Sequence, residues 1–226
     1  MKIGTIQSNF LPWRGYFDFI REVDLFIIHD DIQYTKGDWR NRNKIKTTRG
    51  PEWITVPVNY RQSSQLIEET TIDDSKPWAK GMLNKIRNSY QKAPYFDLYF
   101  SELSDQLLEP AATISDLNLR LIQWVCLHLE IKTPITFSRE YNPQGAKTER
   151  LIGILKQLDA TTYLSGPTAQ AYLEPELFEQ AGIRLEYKIY NYPEYEQLYP
   201  PFEPAVSVID LLFMMGKDSK AYLDKP

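Results

Sequence analysis

Short apolar runs and longer stretches of helical spacing alternate along this chain of 226 residues. Residues 2–6 form a brief β-branched run, which predicts a first strand. Residues 7–15 interrupt it, with Pro12 and Gly15 as punctuation. Phe17, Phe19, Ile20 and Val23 then recur at helical spacing and predict a helix over 16–23, followed by a buried strand over 25–29. A strand, a crossover helix and a second strand make a parallel unit with a right-handed connection. Residues 44–48 and 53–58 read as two strands joined across Arg49-Gly50-Pro51, with Pro57 marking an edge or an end. Residues 59–75 are polar, with one short strand near 70–72. From about 77 to 130 the period changes to helical: 78–90, 96–108 and 114–129, broken at Pro110, with apolar stripes that predict core packing. Strands and helices then alternate again: strand 134–138, helix 147–158, strand 162–164, a turn at 165–168, helix 175–181 capped by Gly182, and strand 184–189. A loop rich in Pro, Tyr and Glu over 190–204 leads to a last helix, 207–215, with Ser207 as N-cap and Gly216 as its stop. The pattern predicts an α/β fold: a parallel, Rossmann-like sheet with a helical middle segment and a β-hairpin excursion, in one domain over 1–226.

Composition narrows the class. Hydrophobic residues make up 42% and charged residues 25%, as in ordinary globular domains. The single cysteine, Cys126, rules out a disulfide framework within the chain and fits a reducing, cytoplasmic setting. With His29 and His128 as the two histidines, no zinc-ligand set exists, and no metal site is assigned. The sequence enters a strand at once, without a secretory leader, and no apolar run approaches the roughly twenty residues of a membrane span. A net charge of −4 and a pI of about 5.4 argue against general nucleic-acid binding.

One stretch departs from that acidic average. Asp30 to Lys46 reads D-D-I-Q-Y-T-K-G-D-W-R-N-R-N-K-I-K, with five cations against three carboxylates. It starts where the second strand ends, and ligands gather at the carboxyl ends of parallel strands. Arg40 and Arg42 offer bidentate forks for phosphate or carboxylate, with Lys36, Lys44 and Lys46 as further cations. Gln33, Asn41 and Asn43 offer amides, and Tyr34 and Trp39 offer aromatic faces. A solvated charged hairpin is the plainer alternative. Gln7, Trp13 and Tyr16 in the first loop, and Ser165 and Gly166 in the late turn, occupy equivalent strand-end positions. Ser165 lacks a Gly-x-Ser-x-Gly elbow and is not read as a nucleophile. Asp210 reads as a surface acid or a variant capping box. Tyr190, Tyr192, Tyr195 and Tyr199 suggest either a stacking lid or a packed surface loop.

Several blocks together resemble the WbqC-like protein family. They are Ile6-Gln7 with Phe10-Leu11-Pro12-Trp13-Arg14-Gly15-Tyr16-Phe17-Asp18, then Asp30-Asp31-Ile32-Gln33-Tyr34-Thr35-Lys36 and Trp39-Arg40-Asn41-Arg42-Asn43-Lys44-Ile45-Lys46. Lys92-Ala93-Pro94-Tyr95-Phe96, Tyr163-Leu164-Ser165-Gly166-Pro167 and Ser207-Val208-Ile209-Asp210-Leu211-Leu212-Phe213 follow, so the likeness runs almost end to end. It implies a place in bacterial surface-polysaccharide (O-antigen) synthesis and transfer of glycine or another amino acid to an amino sugar. A more distant likeness is to the adenylyl-transferring superfamily with an H-x-G-H motif. Here Trp13-Arg14-Gly15-Tyr16 stands where its two triphosphate-binding histidines would be, which counts against ATP-dependent chemistry.

The leading expectation is therefore an aminoacyl transferase or amide ligase acting on an amino sugar or sugar nucleotide. His29, Asp30 and Asp31 are its candidate bases. Asn41, Asn43 and the backbone at Ser165-Gly166 are candidate oxyanion donors. Arg40, Arg42, Lys44 and Lys46 are candidates for a diphosphate. The cofactor stays open, with ATP and magnesium the two to test. The acyl donor stays open too, with a charged tRNA among the options. A nucleotidyl transferase and a non-catalytic binding protein of polysaccharide assembly are the alternatives.

Overall fold

Strand β1 (Lys2–Ile6), helix α1 (Arg14–Arg21) and strand β2 (Leu25–Ile28) open the chain in a computed structural model that describes residues 1–223. The two strands pair in parallel, Ile3 beside Leu25 and Ile6 beside Ile28. The hairpin β3 (Arg42–Thr47) and β4 (Gly50–Thr55) follows, antiparallel and apart from the main sheet. Its turn is tighter than the pattern predicts. Gly50 adopts φ +98°, which glycine tolerates and other residues resist, so Thr48 and Arg49 alone make the bend. The Thr47 hydroxyl donates to Gly50 O and accepts from Arg49 N–H, which secures the corner.

Three helices make the middle segment: α2 (Trp78–Tyr90), α3 (Phe96–Leu108) and α4 (Ile114–His128). Helix α4 starts on a capping box in which the Thr113 hydroxyl accepts from Asp116 N–H and Asp116 accepts from Thr113 N–H. Then come β5 (Ile135–Phe137), α5 (Lys147–Gln157), β6 (Thr162–Ser165), α6 (Pro175–Gln180), β7 (Arg184–Tyr187) and α7 (Val208–Met215). Helix α1 begins two residues earlier than expected, at Arg14, with Trp13 in extended backbone as its flank.

The five-stranded sheet is parallel throughout, in the order β5-β2-β1-β6-β7. The chain builds outward from β1 through β2 to β5, then returns to the other side of β1 for β6 and β7. That reversal is the topological switch point of a Rossmann-like sheet, and the crevice beyond it is where such sheets bind ligands. Alternation along each strand separates two cores. Ile3, Ile27 and Tyr163 face α5 and α6, whereas Phe26, Ile28 and Leu164 face α1, α7 and the middle helices.

Gly4, at the centre of β1, faces Phe19 of α1 and Val23 just past it with no room for a side chain. A Cβ there would lie 2.4 Å from Phe19 Cε1 and 3.1 Å from Val23 Cγ1, and Phe19 is itself fully buried. Gly4→Val is expected to cost about 2–3 kcal/mol through overpacking, lowering Tm by roughly 4–12 °C for a chain of this size. A melting curve superimposable on the wild type would contradict this account of the packing.

Candidate functional site

Loops leaving the carboxyl ends of β1, β2 and β6 enclose a cavity of about 650 Å³. Gln7, Asn9, Trp13 and Tyr16 line it from the first loop and α1, and His29 and Ile32 from the segment after β2. Ser165, Gly166, Thr168 and Tyr172 close the β6 side, and Lys147, Thr148 and Leu151 of α5 close another. Trp39 and Tyr190 line it as well. Trp13 packs edge-on against Tyr190, with ring centres 5.0 Å apart. A second, mainly apolar recess of about 320 Å³ shares Asn9, Trp13 and Trp39 and adds Pro12, Asn43, Pro204 and Ala205.

The first loop has its shape imposed from outside. Leu11 sits at φ +41°, a left-handed backbone that non-glycine residues adopt at a cost. The Asn43 side chain donates to Phe10 O at 3.2 Å and Leu11 O at 2.7 Å, and Phe10 N–H donates to Trp39 O at 2.9 Å. Arg40 donates to Gln7 Oε1 at 3.2 Å and also to Asn9 Oδ1, so the hairpin segment clamps the loop. Tyr16 Oη donates to Gln7 O at 3.1 Å, and burial holds its phenol well above the usual range.

Asp30 is fully buried and does not line the cavity. It accepts from Ser8 N–H at 2.8 Å and from Ser115 Oγ at 2.5 Å. Ser115 and Asn118 lie three apart on one face of α4. Asn118 donates to Ser8 Oγ at 3.0 Å and to Arg40 O at 2.8 Å. The middle helices thus do more than fill the core: α4 fastens the loops that follow β1 and β2.

His29 and Asp31 are arranged differently. The imidazole is in the cavity wall, with Nε2 buried 3.5 Å from Asp31 Oδ1, beyond a good hydrogen bond and without another partner among the described residues. Asp31 also accepts from Ser138 Oγ, just past β5, and from Arg150 on α5. Burial lowers the His29 pKa. Asp31 opposes that shift and the Arg150 charge adds to it, so the ring is neutral around pH 7.

The remaining cations of the hairpin are engaged elsewhere. Arg42 stacks over Trp53 at 4.1 Å, Lys44 lies 5.3 Å from the same ring, and Lys36 is 5.9 Å from Tyr60. Lys46 is 2% exposed and donates to Pro201 O. Asn41 is buried and donates to Val56 O at 2.7 Å. Gln33 is exposed and forms an isolated bridge with Leu66. None of Gln33, Lys36, Asn41, Arg42, Lys44 and Lys46 lines either cavity.

Asp210 is fully buried, not the surface acid that its helix-start position suggests. It accepts from Tyr90 Oη and Tyr195 Oη at 2.8 Å and from Gln197 Nε2 at 2.9 Å, a hydrogen-bonded junction that holds the late loop against α2. The tyrosine loop is packed for the same reason. Tyr192 donates to Asp18 at 2.7 Å and Tyr199 to Ser89 O at 3.0 Å, leaving Tyr190 at the cavity.

Asn9, Lys147, Thr148, Tyr163 and Tyr172 belong to the cavity but were not singled out by the sequence. Lys147 and Thr148 open a helix that starts ten residues after β5 ends, so position beside a strand does not mark them.

No helix among the described residues is long and apolar enough to cross a membrane. No solved structure matches the chain. A protein of Mycobacterium tuberculosis, named as the uncharacterized protein Rv1507c, is 45% identical over 225 residues, covering 98% of this chain and 97% of that protein. The WbqC-like family model matches residues 7–222, and with that near end-to-end match the chain belongs to the WbqC-like protein family.

Proposed function

We propose that the protein joins an aminoacyl group to the amine of an amino sugar or its nucleotide, with His29 as general base. The observation that carries this reading is a histidine, its pKa lowered by burial, in a cavity wall with no carboxylate among the described residues. An amine attacks only when unprotonated. A wall without Asp or Glu gives the ammonium form nothing to pair with, and the imidazole accepts its proton. In the transfer, the amine nitrogen bonds to the acyl carbon as the carbon–oxygen or carbon–sulfur bond to the carrier breaks. His29 takes the nitrogen's proton and returns it to the departing carrier. Asp31, held by Ser138 and Arg150, positions the ring as the partner facing its buried nitrogen. Trp13, Tyr16, Trp39 and Tyr190 supply aromatic faces of the kind that stack on sugars. Gln7 and the Ser165-Gly166 backbone supply polar groups beside them.

The test offers purified protein a set of amino sugar nucleotides with glycine and ATP, with a glycyl thioester, or with glycyl-tRNA, and reads products by mass. A gain of one aminoacyl residue on the sugar is expected, and no gain with any donor sinks the reading.

The pH dependence has a definite sign. Because the folded pKa of His29 is lowered, kcat at saturating acceptor, which is free of the titration of the unbound amine, should hold its plateau below the ordinary histidine value of about 6.5 and fall only at more acid pH. Linked stability follows: between the unfolded and the lower folded pKa, the unfolded state binds more protons, so this contribution is full above about 6.5 and declines as pH drops through that window. An acid limb centred above 6.5 would exclude His29 as the titrating base.

A further inference from the structure

Helix α5 begins at the cavity with its N-terminus open. Ala146 precedes it and has no side chain able to cap. The amides of Thr148 and Glu149 in its first turn find no acceptor among the described residues, and Lys147, at φ +50°, flanks that turn in left-handed backbone. Such a first turn presents free N–H groups and the positive end of the helix dipole.

Thr148 adds an independent observation. It is 1% exposed, lines the cavity, and its Oγ1 has no hydrogen-bond partner among the described residues. A buried hydroxyl without a partner is uncommon and asks for an explanation. A ligand oxygen in the cavity would complete it. Lys147 lines the same wall and is exposed. The acid of this turn, Glu149, faces away into a separate surface recess with Ile152, Gly153 and Lys156. Among the described residues the cavity lining therefore holds a lysine, a histidine and no carboxylate, in a chain with a net charge of −4. The hairpin cations that would otherwise take an anion are stacked or buried outside the cavity.

We propose that the first turn of α5, through its free amides, the Thr148 hydroxyl and the Lys147 ammonium, binds a phosphoryl group of the ligand in this cavity. The inference deepens the amide-transfer reading by assigning a place to the acceptor's phosphate, and it rests on that reading only for the identity of the rest of the ligand. The same chemistry would accept a sugar phosphate or a nucleoside diphosphate.

Calorimetry with inorganic pyrophosphate, uridine diphosphate, glucosamine 1-phosphate and uridine tests it without turnover. At least one phosphate-bearing probe is expected to bind the wild type, more weakly as salt rises. Lys147→Ala and Thr148→Val should each weaken that binding about tenfold, with Thr148→Ser close to wild type. Binding of uridine diphosphate alone identifies a nucleotide, and binding of glucosamine 1-phosphate alone a sugar phosphate. Thr148→Val should melt no lower than wild type, since the lost hydroxyl has no protein partner, which separates weakened binding from misfolding. The proposal is overturned if no phosphate-bearing probe binds, if the variants bind it as the wild type does, or if Thr148→Val is markedly destabilised. Phosphate binding of the expected kind together with no aminoacyl product would leave the subsite standing and remove the amide-transfer reading.

Discussion

Replacing Asp30 by Ala is expected to lower the free energy of unfolding by about 3–6 kcal/mol, because each hydrogen bond to a charged group is worth roughly 1.5–3 kcal/mol and two are lost at a fully buried carboxylate. Ser8 N–H and Ser115 Oγ would both lose their acceptor. Ser8 begins to loosen from α4 as a result, and the loop that carries Gln7 and Asn9 loosens with it. For a chain of this length the change corresponds to a fall in Tm of roughly 6–24 °C. Asp30→Asn should cost less, since the amide oxygen still accepts from Ser8 and the amide nitrogen can donate to Ser115. Urea unfolding of the three proteins measures the difference. If Asp30→Ala unfolds at the wild-type midpoint, the carboxylate is not the fastening described above. Any loss of turnover in Asp30→Ala has to be read against this loss of structure before a role in chemistry is assigned.

His29→Gln is the counterpart, with its large effect on rate. Loss of a positioned general base typically costs 10²–10⁴-fold, about 3–5 kcal/mol in activation free energy. The substitution should lower kcat strongly and KM little, because the ring is assigned to proton removal and not to holding the sugar. Stability should stay near that of the wild type: Nε2 makes no hydrogen bond among the described residues. The acid limb of the pH profile should disappear with the ring. Asp31→Asn is expected to give a smaller loss, since Asp31 acts through His29. A His29→Gln enzyme within tenfold of wild type in kcat would remove His29 as the base.

The two aspartates show how far adjacent residues can differ in what their sequence reveals. Asp30 and Asp31 follow the same strand and carry the same charge. One turns to Ser115 in a helix eighty-five positions later, and the other to Ser138 and Arg150. Periodicity places a residue on a strand or a helix face, but it holds no information on which distant side chain meets it there. That is why the strands, the helical middle segment and the hairpin were legible from apolar spacing, with errors of a few residues at ends such as the start of α1 and the hairpin turn. Lys46 and Asp210 were opaque for the same reason. A lysine in a polar stretch and an acid at a helix start both look solvated until the late loop folds over them and supplies Pro201 O, Tyr195 and Gln197. The strand-end rule did find Gln7, His29, Ser165 and Gly166 at the cavity. Lys147 and Thr148 come ten and eleven residues after β5 ends, too far along the chain for position beside a strand to mark them.

The order of the sheet has a consequence for synthesis. β1 is its central strand, yet its two neighbours are made at very different times: Leu25 pairs with Ile3 almost at once, whereas Thr162 pairs with Lys2 from 160 positions away. At about 5–20 residues per second on the ribosome, roughly 7–27 s separate the making of Leu25 from that of Thr162. Throughout that interval the nascent chain carries β1 with one edge unpaired, the kind of edge that templates association with other chains. The cavity cannot close before β6 arrives either. A ribosome stalled anywhere between the hairpin and residue 160 would therefore hold a partly built sheet with the β1 edge open, and this protein should be most dependent on chaperones during that part of its translation.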